Sequence, residues 1–310
     1  MEGVSAKGKI TFFIATSQGR LDLLAWSVLG LLLRTPETVL DRVFVVINGD
    51  RYKAEHQDAK ERFLRALCLI DPRVTPIRLL GHVAHSQCMD MCVPWCNSEY
   101  YAIMHDDVLI RTRGWTSYVL SQLTNPLVDA IVYPNFLGDG TPIVHMCGIR
   151  DTVMGGEHAG KKVLITPHPC TALTVCKAVE MAKLGGRWRG YHIWLPGPTM
   201  LNTLVDIQAL VAYWWNRGLV EADRIDIHTP YSAISHDVGT WLWYRSLANG
   251  HTWAQMPRDI ALHIERASWE ETVVVDRRIH QNMAVTEDIK AEIKASRYYN
   301  LYLTHIGNIL

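Results

Sequence analysis

The sequence predicts an α/β fold in which helices flank a mixed, mainly parallel β-sheet. Short apolar runs alternate with amphipathic segments along the first hundred residues. The runs are almost continuously apolar, as expected for strands buried on both faces. They end at polar or turn-forming residues, and such an alternation of strands and helices requires crossover connections between parallel strands. These three observations together indicate a layered structure with helices on both faces of the sheet.

The elements of the first part follow from these patterns. Lys-Ile-Thr-Phe-Phe-Ile-Ala forms the first predicted strand, and Arg-Val-Phe-Val-Val-Ile forms the second, which stops at the turn signal Asn48-Gly49-Asp50. The predicted strands cover 9–15, 42–47, 74–80 and 100–104. The predicted helices cover 21–33, 53–69 and 85–96.

The pattern loosens after residue 111. We expect strands at 130–133 and 162–166, and helices at 171–184, 206–217 and 287–296. The clearest change in composition lies near Gly250. The predicted organisation is one large domain over residues 1–245, followed by a helical C-terminal extension over residues 246–310 that packs on it.

Composition limits the kinds of partner. Lys plus Arg equals Asp plus Glu, at 31 each, so there is no overall basic footprint for nucleic acid. A local set of arginines could still meet phosphates (Arg111, Arg113, Arg187 and Arg189). The seven cysteines lack paired spacing and the start lacks a secretory signal, so a cytoplasmic location is expected. The apolar run 21–33 is too short to span a membrane, and no span is expected.

The end of the fourth predicted strand carries the strongest chemical signal. The apolar run Tyr-Tyr-Ala-Ile-Met stops at His105, Asp106 and Asp107. Ligands collect at the carboxyl ends of parallel strands, and adjacent carboxylates are costly unless a cation compensates them. The pattern predicts a divalent metal site that grips a phosphate, although a solvated turn after a strand would read the same way.

The residues around this point resemble nucleotide-sugar glycosyltransferases of the GT-A fold, especially family two. The family pattern is Ala-Arg-Asn-x-Gly, a helix, Gly-Glu-Tyr, an apolar strand and Asp-x-Asp. This chain keeps that spacing, with Asp90 at the Asn, Ser98 at the Gly, and His105 and Asp107 at the two Asp positions. Segments similar to other landmarks follow in order, namely 14–20, 47–50, 184–186, 205–207 and 236–240.

The resemblance implies a metal-dependent, inverting transfer of a sugar from a nucleoside diphosphate sugar to a hydroxyl acceptor. Mn²⁺ or Mg²⁺ would neutralise the leaving diphosphate. Asp107 would be the principal ligand, with His105 or Asp106 assisting and His236 completing the site, and Asp206 would be the base that deprotonates the acceptor. The implied donor-binding residues are Thr16, Ser17, Arg20, Asn48, Asp50, Asp90 and Asp106.

The acceptor is left open by the sequence. It could be a glycan, a natural product, a lipid-linked sugar or a hydroxymethylated base in DNA. Trp188, His192 and Trp194 form an aromatic cluster where the family often receives the acceptor, and core packing is the rival interpretation. Other classes also stay open: a catalytically silent sugar-nucleotide or glycan binding module, suggested by His105 and Val205, and a nucleotidyltransferase.

Two further features have structural interpretations. Asp206 could cap a helix instead of acting as a base. Cys88, Cys92 and Cys96 recur every fourth residue, which is typical of one helical face turned to a core and not of a zinc site.

Overall fold

The computed structural model describes residues 6–16, 21–47, 63–79, 83, 85–136, 142–143, 150–152, 162–165, 168–185, 187–199, 230–236, 238–264 and 277–307. Within these ranges the strands are β1 Ala6–Thr16, β2 Leu40–Ile47, β3 Val74–Arg78, β4 Ser98–His105, β5 Val108–Ile110, β6 Val128–Val132, β7 Asn135–Phe136, β8 Pro142–Ile143, β9 Arg150–Thr152, β10 Lys162–Ile165, β11 Leu173–Lys177, β12 Tyr191–Thr199, β13 Tyr231–His236, β14 Thr252–Gln255 and β15 Ala261–His263.

The described helices lie between these strands and at the C-terminal side. They are α1 Leu21–Arg34, α2 at 63–70, α3 His85–Cys92, α4 Trp115–Leu123, α5 Ala178–Lys183, α6 Thr240–Ala248, α7 Arg277–Lys294 and α8 Arg297–Gly307. None of the described helices is both long enough and apolar enough to cross a bilayer.

The main sheet has the strand order β14-β6-β11-β4-β1-β2-β3 among the described residues. β1 pairs in parallel with both β2 and β4, and β2 pairs in parallel with β3. β11 runs antiparallel between β4 and β6, and β14 continues the sheet in parallel with β6. The predicted fold class, a mixed and mainly parallel sheet flanked by helices with further helices at the C-terminal side, is confirmed.

The position of β1 near the middle of the sheet explains its composition. Ile10, Phe12 and Ile14 face one hydrophobic core, which includes residues of α1, α4 and α7, while Phe13 faces the other, which includes residues of α3, α5 and α6. All four side chains are fully buried. Because both faces of the strand are covered, it lacks the polar alternation of a half-exposed strand.

The prediction of one helix over 171–184 is wrong. Residues 173–177 form β11, and only Ala178–Lys183 are helical. Leu173, Val175 and Cys176 are buried between β4 and β6, so pairing on both sides decides the conformation of this segment. The predicted helix over 85–96 also ends early, at Cys92, and a 3-10 turn at Val93–Trp95 follows because Pro94 cannot continue the α-helix.

Residues beyond 250 take part in both sheet and helix layers. β14 hydrogen-bonds to β6 at the edge of the main sheet, and β15 pairs antiparallel with β5. Ile289 and Ile293 of α7 are buried against the first core. The division at residue 245 and the cytoplasmic location stay predictions, and the helix predicted over 206–217 lies outside the described residues.

Candidate active site

The turn after β4 is held in place by the neighbouring elements. The backbone N–H of His105 donates to the carbonyl oxygen of Ala172 at 2.9 Å. Ser27, a fully buried residue of α1, donates its hydroxyl to the carbonyl oxygen of Asp106 at 2.7 Å. The His105–Asp107 segment is therefore fixed from two sides, at the carboxyl end of a strand that lies next to β1.

A polar side chain from a distant part of the sequence also lies at this turn. β15 pairs antiparallel with β5, which places His263 opposite Val108. The N–H of Ile264 donates to the carbonyl oxygen of Asp107 at 3.0 Å, and the N–H of His263 donates to the Tyr133 hydroxyl at 3.3 Å. These backbone contacts bring the His263 imidazole beside the Asp107 carboxylate.

The three side chains form a compact group of possible metal ligands. One ligating atom from each of His105, Asp107 and His263 lies within 4.8 Å of the other two. His263 Nε2 is 3.2 Å from Asp107 Oδ1, and the two imidazole rings meet edge to face with centroids 5.4 Å apart. Over the described ranges, no other group of three or more His, Cys, Asp or Glu side chains meets this spacing.

Asp107 Oδ1 is buried and makes no hydrogen bond in the described structure, although His263 Nε2 lies 3.2 Å away. An unsatisfied buried carboxylate oxygen is costly, by about 1–3 kcal/mol or more for a charged group. A divalent cation would satisfy it. Ligands at about 2.0–2.2 Å from one ion are at most about 4.4 Å apart, so small side-chain rotations would close this group around a metal.

His236 is not one of these three side chains. It ends β13 in the sheet of order β12-β13-β10-β9, is 7% exposed and packs edge to face against Tyr244. Burial lowers the pKa of His236 to about 4, so its imidazole is neutral at neutral pH. Its predicted role as a metal ligand stays a prediction.

Asp90 connects α3 to the segment that follows α5. Its Oδ1 accepts a hydrogen bond from the backbone N–H of Trp188 at 2.6 Å. Burial raises the pKa of Asp90, while hydrogen bonds from the Trp188 and Arg189 backbone and the charges of Arg187 and Arg189 oppose that rise. These contacts anchor the segment that follows α5, and the predicted donor contact of Asp90 stays a prediction.

The predicted acceptor residues differ in exposure. Trp188 is 2% exposed, donates its indole N–H to the Tyr101 hydroxyl at 3.1 Å and packs against Gly239. Gly239 has φ of 79°, and a Cβ there would lie 2.9 Å from the Trp188 ring, so glycine is required. Trp194 lies on β12 and is 40% exposed. His192 lies on the same strand, where it pairs with Ser235 of β13. Contact of these residues with an acceptor stays a prediction.

The donor and base predictions fall mostly outside the described residues. Ser17, Arg20, Asn48, Asp50 and Asp206 are in this group. Thr16 is buried at the end of β1, where it pairs with Ile47 at the end of β2. Asp106 is half-buried in the turn after β4. The carboxyl ends of β1 and β2 therefore lie at the same edge of the sheet as the turn with His105 and Asp107.

His263 was not predicted from the sequence. It lies more than 150 residues after Asp107, and only the pairing of β15 with β5 brings the two together. A weak signal existed: Ile260-Ala261-Leu262 is a short apolar run that stops at a histidine, as β4 does at His105.

No protein-family model and no curated protein sequence matches the chain. Three similar solved structures are those of the mannosyltransferase PcManGT from Pyrobaculum calidifontis with GDP-Man and Mn²⁺, of GalNAc-T7 with UDP, GalNAc and Mn²⁺, and of TarS from S. aureus with UDP-GlcNAc. Their sequence identities are 14%, 11% and 11%, with TM-scores of 0.41, 0.42 and 0.34. The matches cover 59%, 57% and 58% of this chain but only 48%, 36% and 48% of those chains.

Proposed function

We propose that this protein is a Mn²⁺-dependent glycosyltransferase that moves a sugar from a nucleoside diphosphate sugar to a hydroxyl acceptor. The observation that carries the proposal is the group of His105, Asp107 and His263 at the carboxyl end of β4. It lies at the edge of the sheet where β1 and β2 also end, and this is where ligands of open α/β sheets bind.

The three side chains suit a metal that holds a diphosphate. They provide two imidazole nitrogens and one carboxylate, which leaves coordination positions for phosphate oxygens. When bound there, a divalent ion supplies Lewis acidity that neutralises the charge of the departing diphosphate. Ser27 and the β15–β5 pairing hold the three ligands in place before any substrate arrives.

Mn²⁺ is proposed over Mg²⁺ because of the ligand types. Mg²⁺ strongly prefers oxygen ligands and usually keeps several waters, so two imidazoles are a poor set for it. Mn²⁺ accepts carboxylate ligands and binds nitrogen ligands more readily than Mg²⁺ does.

The remaining roles follow the resemblance in the sequence. Asp206 is the proposed base that removes the acceptor proton, and an inverting displacement is proposed because a single base suffices for it. Thr16, Ser17, Arg20, Asn48 and Asp50 are the proposed contacts to the nucleotide. The proposed acceptor is a hydroxyl of a glycan, a natural product or a modified nucleobase.

The test measures release of nucleoside diphosphate from a panel of UDP- and GDP-sugars, with Mn²⁺, with Mg²⁺ and with EDTA. Asp107→Asn keeps the shape of the side chain and removes its charge. Asp259→Asn is the matched control, because Asp259 is exposed and precedes β15 by two residues. We expect turnover by the wild type and the control with Mn²⁺. We expect a loss of at least roughly 100-fold in Asp107→Asn, because it weakens the metal that stabilises the departing diphosphate, and loss of one strong electrostatic group at a reacting centre costs about 10²–10³ in rate.

The other outcomes identify the rival functions. Binding of a nucleotide sugar without turnover under any metal condition would indicate the silent binding module. Formation of a nucleotide sugar from a nucleoside triphosphate and a sugar phosphate would indicate the nucleotidyltransferase. Unchanged turnover in Asp107→Asn would remove the proposed role of the site.

A further inference from the structure

A cavity of about 730 Å³ lies between α3, the 3-10 turn after it and α5, on the sheet face formed by the second core. Tyr101 and Leu242 contribute to its lining. Tyr101 precedes His105 by four residues on β4, which corresponds to about 13 Å along the strand. The cavity is therefore separate from the group of possible metal ligands.

The walls of this cavity are mainly apolar. They include Val83, Met91, Val93, Pro94 and Met181. Met91 is 52% exposed, so part of this apolar lining is in contact with solvent at the rim. The volume falls within the range of roughly 300–1,000 Å³ that is usual for sites of small organic ligands.

The charged groups of the cavity lie together on one side. The Asp90 carboxylate is already engaged by backbone N–H groups of Trp188 and Arg189. Arg187 and Arg189 are exposed, and both also line an adjoining hollow of about 380 Å³ together with Gly185 and Trp241. Arg187 and Arg189 thus lie where the apolar cavity adjoins the hollow, and their two positive charges outweigh the one negative charge of Asp90 there.

We propose that this cavity is a second binding site, for an amphipathic phosphate. The apolar body of the ligand would lie between α3 and α5, and its phosphate would lie between Arg187 and Arg189, whose planar guanidinium groups match phosphate oxygens. Burial of the apolar body in the cavity supplies most of the affinity, and the arginines select the charged end. This site lies outside the proposed metal group and its occupancy requires no metal, although its lining includes Asp90 and Trp188, for which the resemblance implied donor and acceptor contacts.

A nucleic-acid strand is the competing occupant. Trp241 is 43% exposed beside the two arginines, which is an arrangement that can stack a base and meet its phosphate. Such a strand would use the smaller hollow and leave the larger apolar cavity unfilled. The size and apolar character of the larger cavity therefore favour the amphipathic ligand.

The test is isothermal titration of the full chain with decyl phosphate, below its micelle concentration and in EDTA. Decanol, inorganic phosphate and a short single-stranded oligonucleotide are titrated in parallel. We expect decyl phosphate to bind at least tenfold more tightly than decanol or inorganic phosphate. Equal binding of decanol, tighter binding of the oligonucleotide, or an absence of decyl phosphate binding would overturn the proposal.

Variants locate the binding within the cavity. Ala182→Phe fills it from an exposed wall position, and the double change Arg187→Ala with Arg189→Ala removes the charged mouth. Lys183→Ala is the matched control, because Lys183 is an exposed cation on α5 that does not line the cavity. We expect binding to fall at least tenfold in both test variants and to stay unchanged in the control.

Two further measurements test whether the ligand binds in the cavity. If Ala182→Phe lowers the melting temperature, Met91→Asp at the exposed rim serves in its place and should weaken binding to the same degree. Sedimentation with phosphatidylglycerol vesicles distinguishes a membrane surface from a free ligand. Vesicle binding that Ala182→Phe leaves intact, together with unchanged decyl phosphate binding in that variant, would contradict the proposed cavity site.

Discussion

At the scale of single residues, the buried carboxylate of Asp107 is the most unusual group in the described part of the candidate site. Its Oδ1 makes no hydrogen bond although the residue is buried, at 7% exposed, and His263 Nε2 lies 3.2 Å away. Buried polar atoms are almost always satisfied in native proteins, so an exception calls for an explanation. A cation bound between Asp107, His105 and His263 provides one.

His263 should matter for metal binding as much as its two partners do. We expect His263→Asn to weaken Mn²⁺ binding at least roughly tenfold, the lower end of what even outer-shell changes cost at metal sites. The backbone N–H of His263 would keep its bond to Tyr133, so the fold should be retained. Titration followed by the electron paramagnetic resonance signal of free Mn²⁺ measures the affinity directly.

His305→Asn is the matched control for this change, because His305 lies in α8 and outside the group of possible ligands. It should bind Mn²⁺ as the wild type does. Equal Mn²⁺ affinity in His263→Asn and in the wild type would exclude His263 as a ligand.

His236 should make stability depend on pH. Burial lowers its pKa from 6.5 to about 4 in the folded protein. The unfolded chain therefore takes up a proton near pH 6.5 that the folded chain takes up only near pH 4, and the free energy of unfolding decreases as pH falls through that window. Between pH 7.5 and 4.5 the wild type should lose on the order of 2 kcal/mol more than His236→Gln.

Urea unfolding in EDTA at both pH values measures this difference without any contribution from bound metal. At pH 7.5 the titration of His236 makes no contribution, so only the pH dependence carries information. If the free energy of unfolding depends on pH equally in wild type and variant, burial does not lower the pKa of His236 in the folded protein.

At the scale of elements, α1 supports the turn that carries the metal ligands. Ser27→Ala removes the hydroxyl bonded to the Asp106 carbonyl. We expect a loss of about 1 kcal/mol in the free energy of unfolding, the usual net value of one hydrogen bond, and several-fold weaker Mn²⁺ binding. Chemical denaturation and Mn²⁺ titration check the two effects.

Ser121→Ala is the control for that change. The Ser121 hydroxyl also donates to a carbonyl oxygen, that of Tyr118, but on the exposed side of α4. It should change neither quantity by more than about 0.5 kcal/mol. If Ser27→Ala leaves Mn²⁺ binding unchanged while lowering stability, α1 contributes to the fold and not to the geometry of the site.

Sequence patterns predict some strands of the main sheet and fail to predict others. β1, β2 and β4 could be predicted because strands buried on both faces have continuous apolar runs. β11 could not, because an apolar segment that runs directly into Ala178–Lys183 fits a helix as well as a strand. Its conformation is set by pairing with β4 and β6, which are distant in sequence.

At the scale of the whole molecule, α7 is attached to α1 by a charged cluster. The buried side chain of Arg34 bonds to Glu292 and donates its Nε–H to the carbonyl oxygen of Arg111, and Arg113 bonds to Glu292 at 2.5 Å. Partial burial alone would raise the pKa of Glu292, but the hydrogen bond from Arg113 and the charges of Arg34 and Arg113 lower it. Below these bonds, Ile293 packs against Gly30 of α1.

Glu292→Gln should therefore loosen the contact between α7 and α1. Breaking a fully buried ion pair costs about 3–5 kcal/mol, and because the Glu292 side chain is 40% exposed we expect about 1–2 kcal/mol here. Urea unfolding monitored by circular dichroism measures the change. Glu287→Gln on the same helix is the control, since Glu287 is exposed and pairs only with Lys290 in the described structure. Equal free energies of unfolding in the two variants would show that the charged cluster does not stabilise the contact between α7 and α1.

Only part of the candidate site could be predicted from the sequence. The turn at His105 and Asp107 could be located because a strand that ends at paired acids is a local signal. His263 could not, since β15 reaches β5 only after the chain has completed the main sheet. The roles of five residues rest on the resemblance alone, because they lie outside the described residues: Ser17, Arg20, Asn48, Asp50 and Asp206.

The proposed function depends on a divalent cation at the tip of β4. The most direct test is a crystal of the protein with Mn²⁺ and UDP or GDP, measured at a wavelength where manganese scatters anomalously. We expect an anomalous peak bonded to His105, Asp107 and His263, with diphosphate oxygens completing its coordination. A peak bonded elsewhere, or a diphosphate bound with no metal at these three side chains, would contradict it.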